Sequence, residues 1–274
     1  MKRKYYNNKD YFLDLNTKKL TLSEELHKKL LNNQMGFNKG FKKITASRAS
    51  NVLALGHFDS PFAAFCDISY IGLPMLDTKY VDAGIAIEPK VLDALKSHFK
   101  NYTFETYDQK EYNFDYFADK DTVIGGTPDA YIPEINTIIE IKTTGFKNYT
   151  NWTDAPLGYQ RQAQLYSFLK GSKQFWIVAT FLEESDYKNP HDFPIEKRRI
   201  KTFKFKLDEA MVKNDIAYIK KWYEIYTQSG ISPEFDLNKD GDLIEYLKCE
   251  NEVEWQKLID KWKEVGKANA IFEG

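Results

Sequence analysis

Hydrophobic positions recur at helical spacing towards both ends of the chain and at strand spacing in its middle. In LSEELHKKLLNN (22–33), Leu22, Leu26, Leu30 and Leu31 mark a helix, with Ser23 placed to cap it. ITASRASNVLALG (44–56) predicts a second helix starting near Ser47 and stopping at Gly56. SPFAAFCDISYIG (60–72) predicts a third, with Pro61 in its first turn, and DAGIAIEPKVLDALKSHFK (82–100) a fourth. Pro89 inside the fourth implies a kink or a start at that point. Residues 102–132 alternate and are rich in aromatics, as strands are, and TIIEIKTT (137–144) adds a further strand. GYQRQAQLYSFLKG (158–171) reads as an amphipathic helix ending at Gly171. QFWIVATFL (174–182) is a near-continuous apolar run, the pattern of an interior strand, whereas RRIKTFKFKL (198–207) alternates with Lys, as an edge strand does. Helix returns over 208–228 and 240–269. The expected partition is a polar arm or early helix over 1–20 and a single domain over 21–274, with its core in 44–206 and C-terminal helices in 207–274.

Composition narrows the function classes. The chain has 274 residues, 42% of them hydrophobic, with 19 Phe and 18 Tyr, enough to bury a substantial core. Its formal net charge is −1, so a nucleic-acid partner would require Lys gathered on one face and acids held elsewhere or in a metal site. Cys66 and Cys249 are the whole cysteine complement, which excludes a four-cysteine iron–sulfur cluster and a CxxC zinc site and fits a reducing cytoplasm. MKRKYYNNKDYF lacks the apolar stretch of a signal peptide, and no run approaches the ~18 apolar residues of a membrane span.

The chemistry concentrates in GGTPDAYIPEINTIIEIKTT (125–144). Side chains alternate along a strand, so Ile138, Glu140 and Lys142 share one face and Thr137, Ile139 and Ile141 the other. A carboxylate and an ammonium on a buried face must be paired or bind something. The preceding strand carries Asp129 after Gly125 and Gly126, residues that permit a bulge or close approach, and a short loop brings Asp129 near Glu140. Two converging carboxylates repel unless a cation lies between them. Oxygen ligands favour Mg²⁺ or Mn²⁺, which polarise phosphoryl oxygens and acidify bound water, and Lys142 beside them suits a developing negative charge. That is a toolkit for phosphodiester hydrolysis.

The spacing Asp129-x₁₀-Glu140-Ile141-Lys142, with Pro128 before the Asp, resembles the PD-(D/E)xK nuclease signature. Upstream, Gly84 and Glu88 are similar to the G-x-x-x-E helix of that superfamily. Downstream, Tyr159, Gln162 and Tyr166 fall on one helix face, like its Y-x-x-Q helix. ITAS (44–47) is similar to the opening of the YqaJ and lambda-exonuclease branch of RecB-type nucleases. The resemblance implies a restriction-endonuclease-like α/β fold, a central mixed β-sheet flanked by α-helices with extra N- and C-terminal helices. It implies an Mg²⁺-dependent DNA exonuclease acting at duplex ends in phage-type recombination or replication. Family members of this kind often form rings around DNA and work with a single-strand-annealing protein, and the resemblance implies both here. By resemblance, Glu88, Asp129, Glu140 and the Ile141 carbonyl hold the metal, Lys142 is the catalytic lysine and Gln162 orients the cluster. Ser47, Thr127, Arg48, Lys42, Lys43, Tyr159 and Tyr166 are the matching phosphate or DNA contacts. One position departs: where the lambda branch has an Arg seven residues before the helix Ser, this chain has Gly40, with Lys39, Lys42, Lys43 and Arg48 nearby.

Plainer readings compete. The hairpin charges could be a surface ion pair, Glu88 could serve the helix dipole, and Gln160 and Gln164 offer other registers for Gln162. Ser47 is also an N-cap residue type. Other functional readings are a structure- or site-specific endonuclease and a non-catalytic nuclease-fold DNA-binding protein. DLNKDGDLIEYL (236–247) opens like a calcium loop but ends in Leu247 where a bidentate Glu is needed, so a turn plus helix cap is expected. The five Trp are assigned to packing.

Overall fold

The computed structural model describes residues 3–33 and 40–274. Lys39, one of the cations near Gly40, lies outside them. Two compact units divide the chain: Met1–Ile44, Arg48–Asp77 and Ala217–Gly274 form the first, Thr45–Ser47 and Thr78–Ile216 the second. Strand β3 (Ile44–Thr45) and helix α7 (Glu209–Ser229) each contribute residues to both.

In the first unit the segment expected as a loose arm is folded. Strands β1 (Tyr11–Asp14) and β2 (Lys19–Leu22) pair antiparallel, with Tyr11 opposite Leu22. Tyr11 and Leu20 are fully buried, and the Arg3 guanidinium stacks 3.8 Å from the Tyr246 ring centroid. Arg3 also donates to the Tyr246 carbonyl at 2.9 Å and the Tyr11 hydroxyl at 2.7 Å, so a polar-looking segment is anchored through one cation and alternate apolar residues. Helix α1 (Glu24–Leu31) starts where Ser23 accepts from the Leu26 N–H. The helix expected over 44–56 is only α2 (Ala49–Leu53), preceded by a 3₁₀ turn and stopped by Ala54 at φ 51°. Ser47 sits in that turn and does not cap the helix; Arg48 holds the cap position, and its side chain makes no capping hydrogen bond to the helix. Helix α3 (Pro61–Ile68) has Ser60 as cap and Pro61 at its first position.

The helix expected over 240–269 is two, α8 (Leu237–Lys248) and α9 (Glu252–Glu264), parted where Asn251 accepts from the Glu254 N–H. The calcium-like stretch is a cap: Asp236 accepts from the Asn238 N–H while Asp240 accepts from the Asp236 N–H at 2.8 Å.

The second unit carries a five-stranded mixed sheet in the order β4-β6-β7-β8-β9. The strands are β4 (Glu105–Thr106), β6 (Ala130–Ile132), β7 (Thr137–Gly145), β8 (Gln174–Leu182) and β9 (Arg199–Lys206); the two-residue strand β5 (Ile124–Gly125) and the one-turn helix α5 (Asn148–Asn151) lie outside the sheet. β6 and β7 form the expected hairpin, turned by Asn136 at φ 46°; β7 and β8 run parallel, and β9 is an antiparallel edge. Ile139, Ile141, Trp176 and Val178 face helix α4 (Lys79–His98), whose Ala83, Ile87 and Val91 complete that core. Helix α6 (Leu157–Lys170) covers the opposite face, reaching Glu140 and Lys142 through Gln162. Burial on both faces explains the unbroken apolar run of β8. Helix α4 passes through Pro89, which is exposed, so the carbonyl left unpaired one turn earlier is open to water.

Residues 107–123, expected as strands, are mostly turns. Asp115 and Asp121 accept backbone N–H groups two and three residues on, the behaviour that lets Asp compete with a sheet ladder.

Candidate active site

The site is built where the hairpin pairing ends. The last β6–β7 pair is Ala130 with Ile139; beyond it, the Ile141 N–H is taken by Asp129 Oδ2 at 2.5 Å. Strand alternation then turns Glu140 and Lys142 towards α6. Lys142 Nζ donates to Glu140 Oε1 at 2.8 Å and to Gln162 Oε1 at 2.9 Å, and Gln162 Nε2 donates to the same Glu140 oxygen at 2.5 Å. Glu140 is 3% exposed, so this three-membered cluster is not a surface ion pair. The other registers serve elsewhere: Gln160 donates to the Ala155 carbonyl and Gln164 accepts from the Asp208 N–H.

Electrostatics sharpen the picture. Burial pushes the Asp129 carboxyl well above the usual range, and the Glu140 and Glu88 charges push it further. Burial raises Glu140 despite Lys142 beside it. Glu88, partly buried on α4, is raised by burial and then by Glu140. Burial opposes the Lys142 charge, but Glu140 and Asp129 outweigh it and hold the ammonium above the usual lysine value. Three carboxylates thus act on one another around one lysine. Among the described residues, no three acids, His or Cys stand close enough together to grip an ion as their side chains lie. Asp129 is turned onto the Ile141 N–H and Glu140 onto Lys142 and Gln162.

The loop before Asp129 explains the glycine pair. Gly126 has φ 126°, and a Cβ there would lie 2.5 Å from the Tyr166 hydroxyl oxygen. Asp115, which sequence reading missed inside an apparent strand, accepts from the Gly126 N–H at 2.9 Å, and Thr127 Oγ1 accepts from the Tyr116 N–H at 3.3 Å. A Gly126→Ala variant is therefore expected to lose about 1–3 kcal/mol of stability. Gly241→Ala, in a helix with nothing within 4 Å of the new Cβ, is expected to gain roughly 0.5–1 kcal/mol. Thermal unfolding followed by circular dichroism measures both.

The expected contact residues are distributed unevenly. Tyr159 lies under Lys142, its ring centroid 5.0 Å from Nζ. Tyr166 is buried and stacked on Phe117 at 5.7 Å, with its hydroxyl beside Gln162 and the Thr127 backbone and within the field of Glu140 and Asp129. Ser47 is exposed in the second unit, 3.0 Å from Thr45 Oγ1. Lys42, Lys43 and Arg48 belong to the first unit, where Lys42 and Arg48 both ion-pair with Asp67, at 3.3 and 2.8 Å.

No family model matches the chain. An uncharacterized protein, MG373, of Mycoplasma genitalium is 28% identical, the match covering 78% of this chain and 89% of that protein. Its homolog in Mycoplasma pneumoniae is 24% identical, covering 75% and 88%. Among solved structures, a phage-related exonuclease from Haemophilus somnus 129PT superposes with a TM-score of 0.51 at 14% identity, covering 69% of this chain and 95% of its own. LHK-Exo, an alkaline exonuclease from Laribacter hongkongensis, solved with dAMP, gives a TM-score of 0.50 at 14% identity, covering 81% and 94%. The likeness is one of fold: a central mixed sheet flanked by helices. No helix of the described residues is long and apolar enough to cross a membrane.

Proposed function

We propose that the chain is a metal-dependent deoxyribonuclease acting at the ends of duplex DNA. The observation that carries this reading is the buried cluster of Glu140, Lys142 and Gln162, with Asp129 and Glu88 within reach of its charge, on a fold shared with two exonucleases. Glu140 Oε2 is buried and has no hydrogen-bond partner among the described residues, and the neighbouring carboxyls are pushed up. An unsatisfied buried oxygen among three acids fits a divalent cation. Glu88, Asp129, Glu140 and the Ile141 carbonyl would hold Mg²⁺ or Mn²⁺, which when bound supplies a polarised phosphoryl oxygen and a more acidic water.

The chain's own residues do the rest. Lys142, kept protonated, offers its charge where negative charge grows on the phosphate. Gln162 ties Lys142 to Glu140, fixing both against the strand. Thr127 and Ser47 are hydroxyl donors for a phosphate, Tyr159 a ring beside it, and Lys42, Lys43 and Arg48 cations for the DNA backbone. A ring-forming oligomer, a single-strand-annealing partner and a role in phage-type recombination or replication complete the proposal.

End-labelled linear duplex and closed circular duplex, each incubated with Mg²⁺ or with EDTA, test it. Linear DNA is expected to be degraded from its ends only with metal, and the circle to survive. A nicked or linearised circle moves the reading to an endonuclease, and intact DNA of both forms to a non-catalytic binding protein.

A further inference from the structure

A cavity of about 650 Å³ opens at the carboxyl ends of the parallel strands β7 and β8, within the second unit. Its wall begins at Thr143, the residue after Lys142, and continues through Thr144 to Phe146. Carboxyl ends of parallel strands are where open α/β sheets bind ligands, and this volume lies in the range of small-molecule sites. Two aromatic groups flank it. Phe146 is 48% exposed and stacks on Tyr149, their planes 9° apart. Tyr80 is 62% exposed and meets Tyr187 edge-on at 5.0 Å. Large rings left open beside a cavity offer a planar ligand a stacking surface.

The polar groups of the wall fit that ligand to a base. Glu183 and Glu184 line it, and Glu184 ion-pairs with Lys79, whose Nζ lies 5.4 Å from the centroids of both Tyr80 and Tyr187. Glu183 has Arg198 at 3.7 Å. Lys147 is a cation of the lining itself. Thr143 and Thr144 hydroxyls suit both the N–H and the carbonyl groups of a base edge, and the ion-paired carboxylates accept from its N–H groups. Thr144, two residues on from Lys142, shares its face of the strand and leads from the cavity towards the lysine.

We propose that this cavity is a nucleobase subsite, in which the base of an unpaired deoxynucleotide stacks against Tyr80 and Phe146 while its phosphate is held at Lys142. The inference rests on the nuclease reading for the phosphate, but the base-stacking wall stands on its own geometry. Stacking on an aromatic platform is indifferent to base identity, so the subsite serves an enzyme that processes any sequence. It also requires the nucleotide to leave the duplex before its phosphodiester reaches Lys142.

Binding of fluorescein-labelled oligodeoxythymidylate in EDTA, compared with an abasic oligomer of equal length, reads the subsite without cleavage. Wild type is expected to bind the base-bearing strand about tenfold more tightly. Tyr80→Ala with Phe146→Ala, both exposed positions, should erase that preference and leave abasic binding unchanged. A preference retained in the double variant, or absent from wild type, overturns the subsite. Discrimination by wild type with no cleavage of any DNA would overturn the nuclease reading and leave the subsite standing. Cleavage of linear DNA without discrimination would do the reverse.

Discussion

Lys142→Gln is expected to leave the protein folded and to lower Mg²⁺-dependent degradation of linear DNA by about 10²–10³-fold, the loss typical when one donor to a developing oxyanion is removed. The ammonium is held by two hydrogen bonds, to Glu140 Oε1 and Gln162 Oε1, and Gln retains a donor for the former. It brings no positive charge, and charge is what the transition state requires. Lys142→Ala is expected to lose activity to a similar degree and also to melt earlier, because it leaves the buried Glu140 carboxylate without its ion-pair partner. Lys142→Arg should rescue little, since a planar fork cannot occupy the seat of a compact ammonium between two oxygens. The carboxylates hold the lysine charged above its usual value, so its own state does not change between pH 6 and 9; without its charge the neighbouring carboxyls rise further, so the deficit of Lys142→Gln should be largest at the low end of that range and shrink as pH rises. Initial rates on end-labelled duplex, with melting temperatures as the control for folding, decide the matter. Wild-type rates in Lys142→Gln would remove the lysine from the chemistry.

The cluster around Lys142 was legible because its information is local and periodic. A strand of period two states which side chains share a face, and Glu140 and Lys142 share theirs whatever covers it. The glycine pair announced a close approach, and Tyr166 against Gly126 is that approach. Gln162 was separable from Gln160 and Gln164 because the tyrosines three before and four after it fix the helix face. What stayed hidden was set by side chains far away in sequence or by competing local hydrogen bonds. Arg3 holds the N-terminal hairpin through the Tyr246 carbonyl, 243 residues on. Asp115 and Asp121 turn an aromatic, alternating stretch into loops by capturing its N–H groups. Asn251 divides a continuous amphipathic pattern into two helices by capping the second. The packing of the Tyr166 ring against Phe117 and Gly126 was hidden too, because those partners lie 40 or more residues away.

Asp129→Asn is expected to abolish nuclease activity and, without added metal, to raise the melting temperature at pH 8 by roughly 3–8 °C. Burial, and then the charges of Glu140 and Glu88, raise the folded pKa of the wild-type carboxyl well above the unfolded value. Between those two values the folded state binds more protons than the unfolded state, so stability is fully present below the unfolded pKa and declines as pH rises through the folded one. Asn has no such titration and keeps an acceptor for the Ile141 N–H, which Asp129 Oδ2 now takes. The gap in melting temperature between variant and wild type should therefore be small near pH 4, widen towards pH 8 and level off beyond the folded pKa. Mg²⁺ should narrow the gap by stabilising only the protein that retains the full set of carboxylates, and by an amount that grows with its concentration. The same raised pKa values make metal binding compete with protons, so wild-type activity should increase with pH over the range in which these carboxyls ionise. Melting curves from pH 4 to 9, with and without Mg²⁺, test the argument. A variant less stable than wild type at pH 8 in EDTA would show that the Asp129 charge is compensated inside the protein and does not wait for a cation.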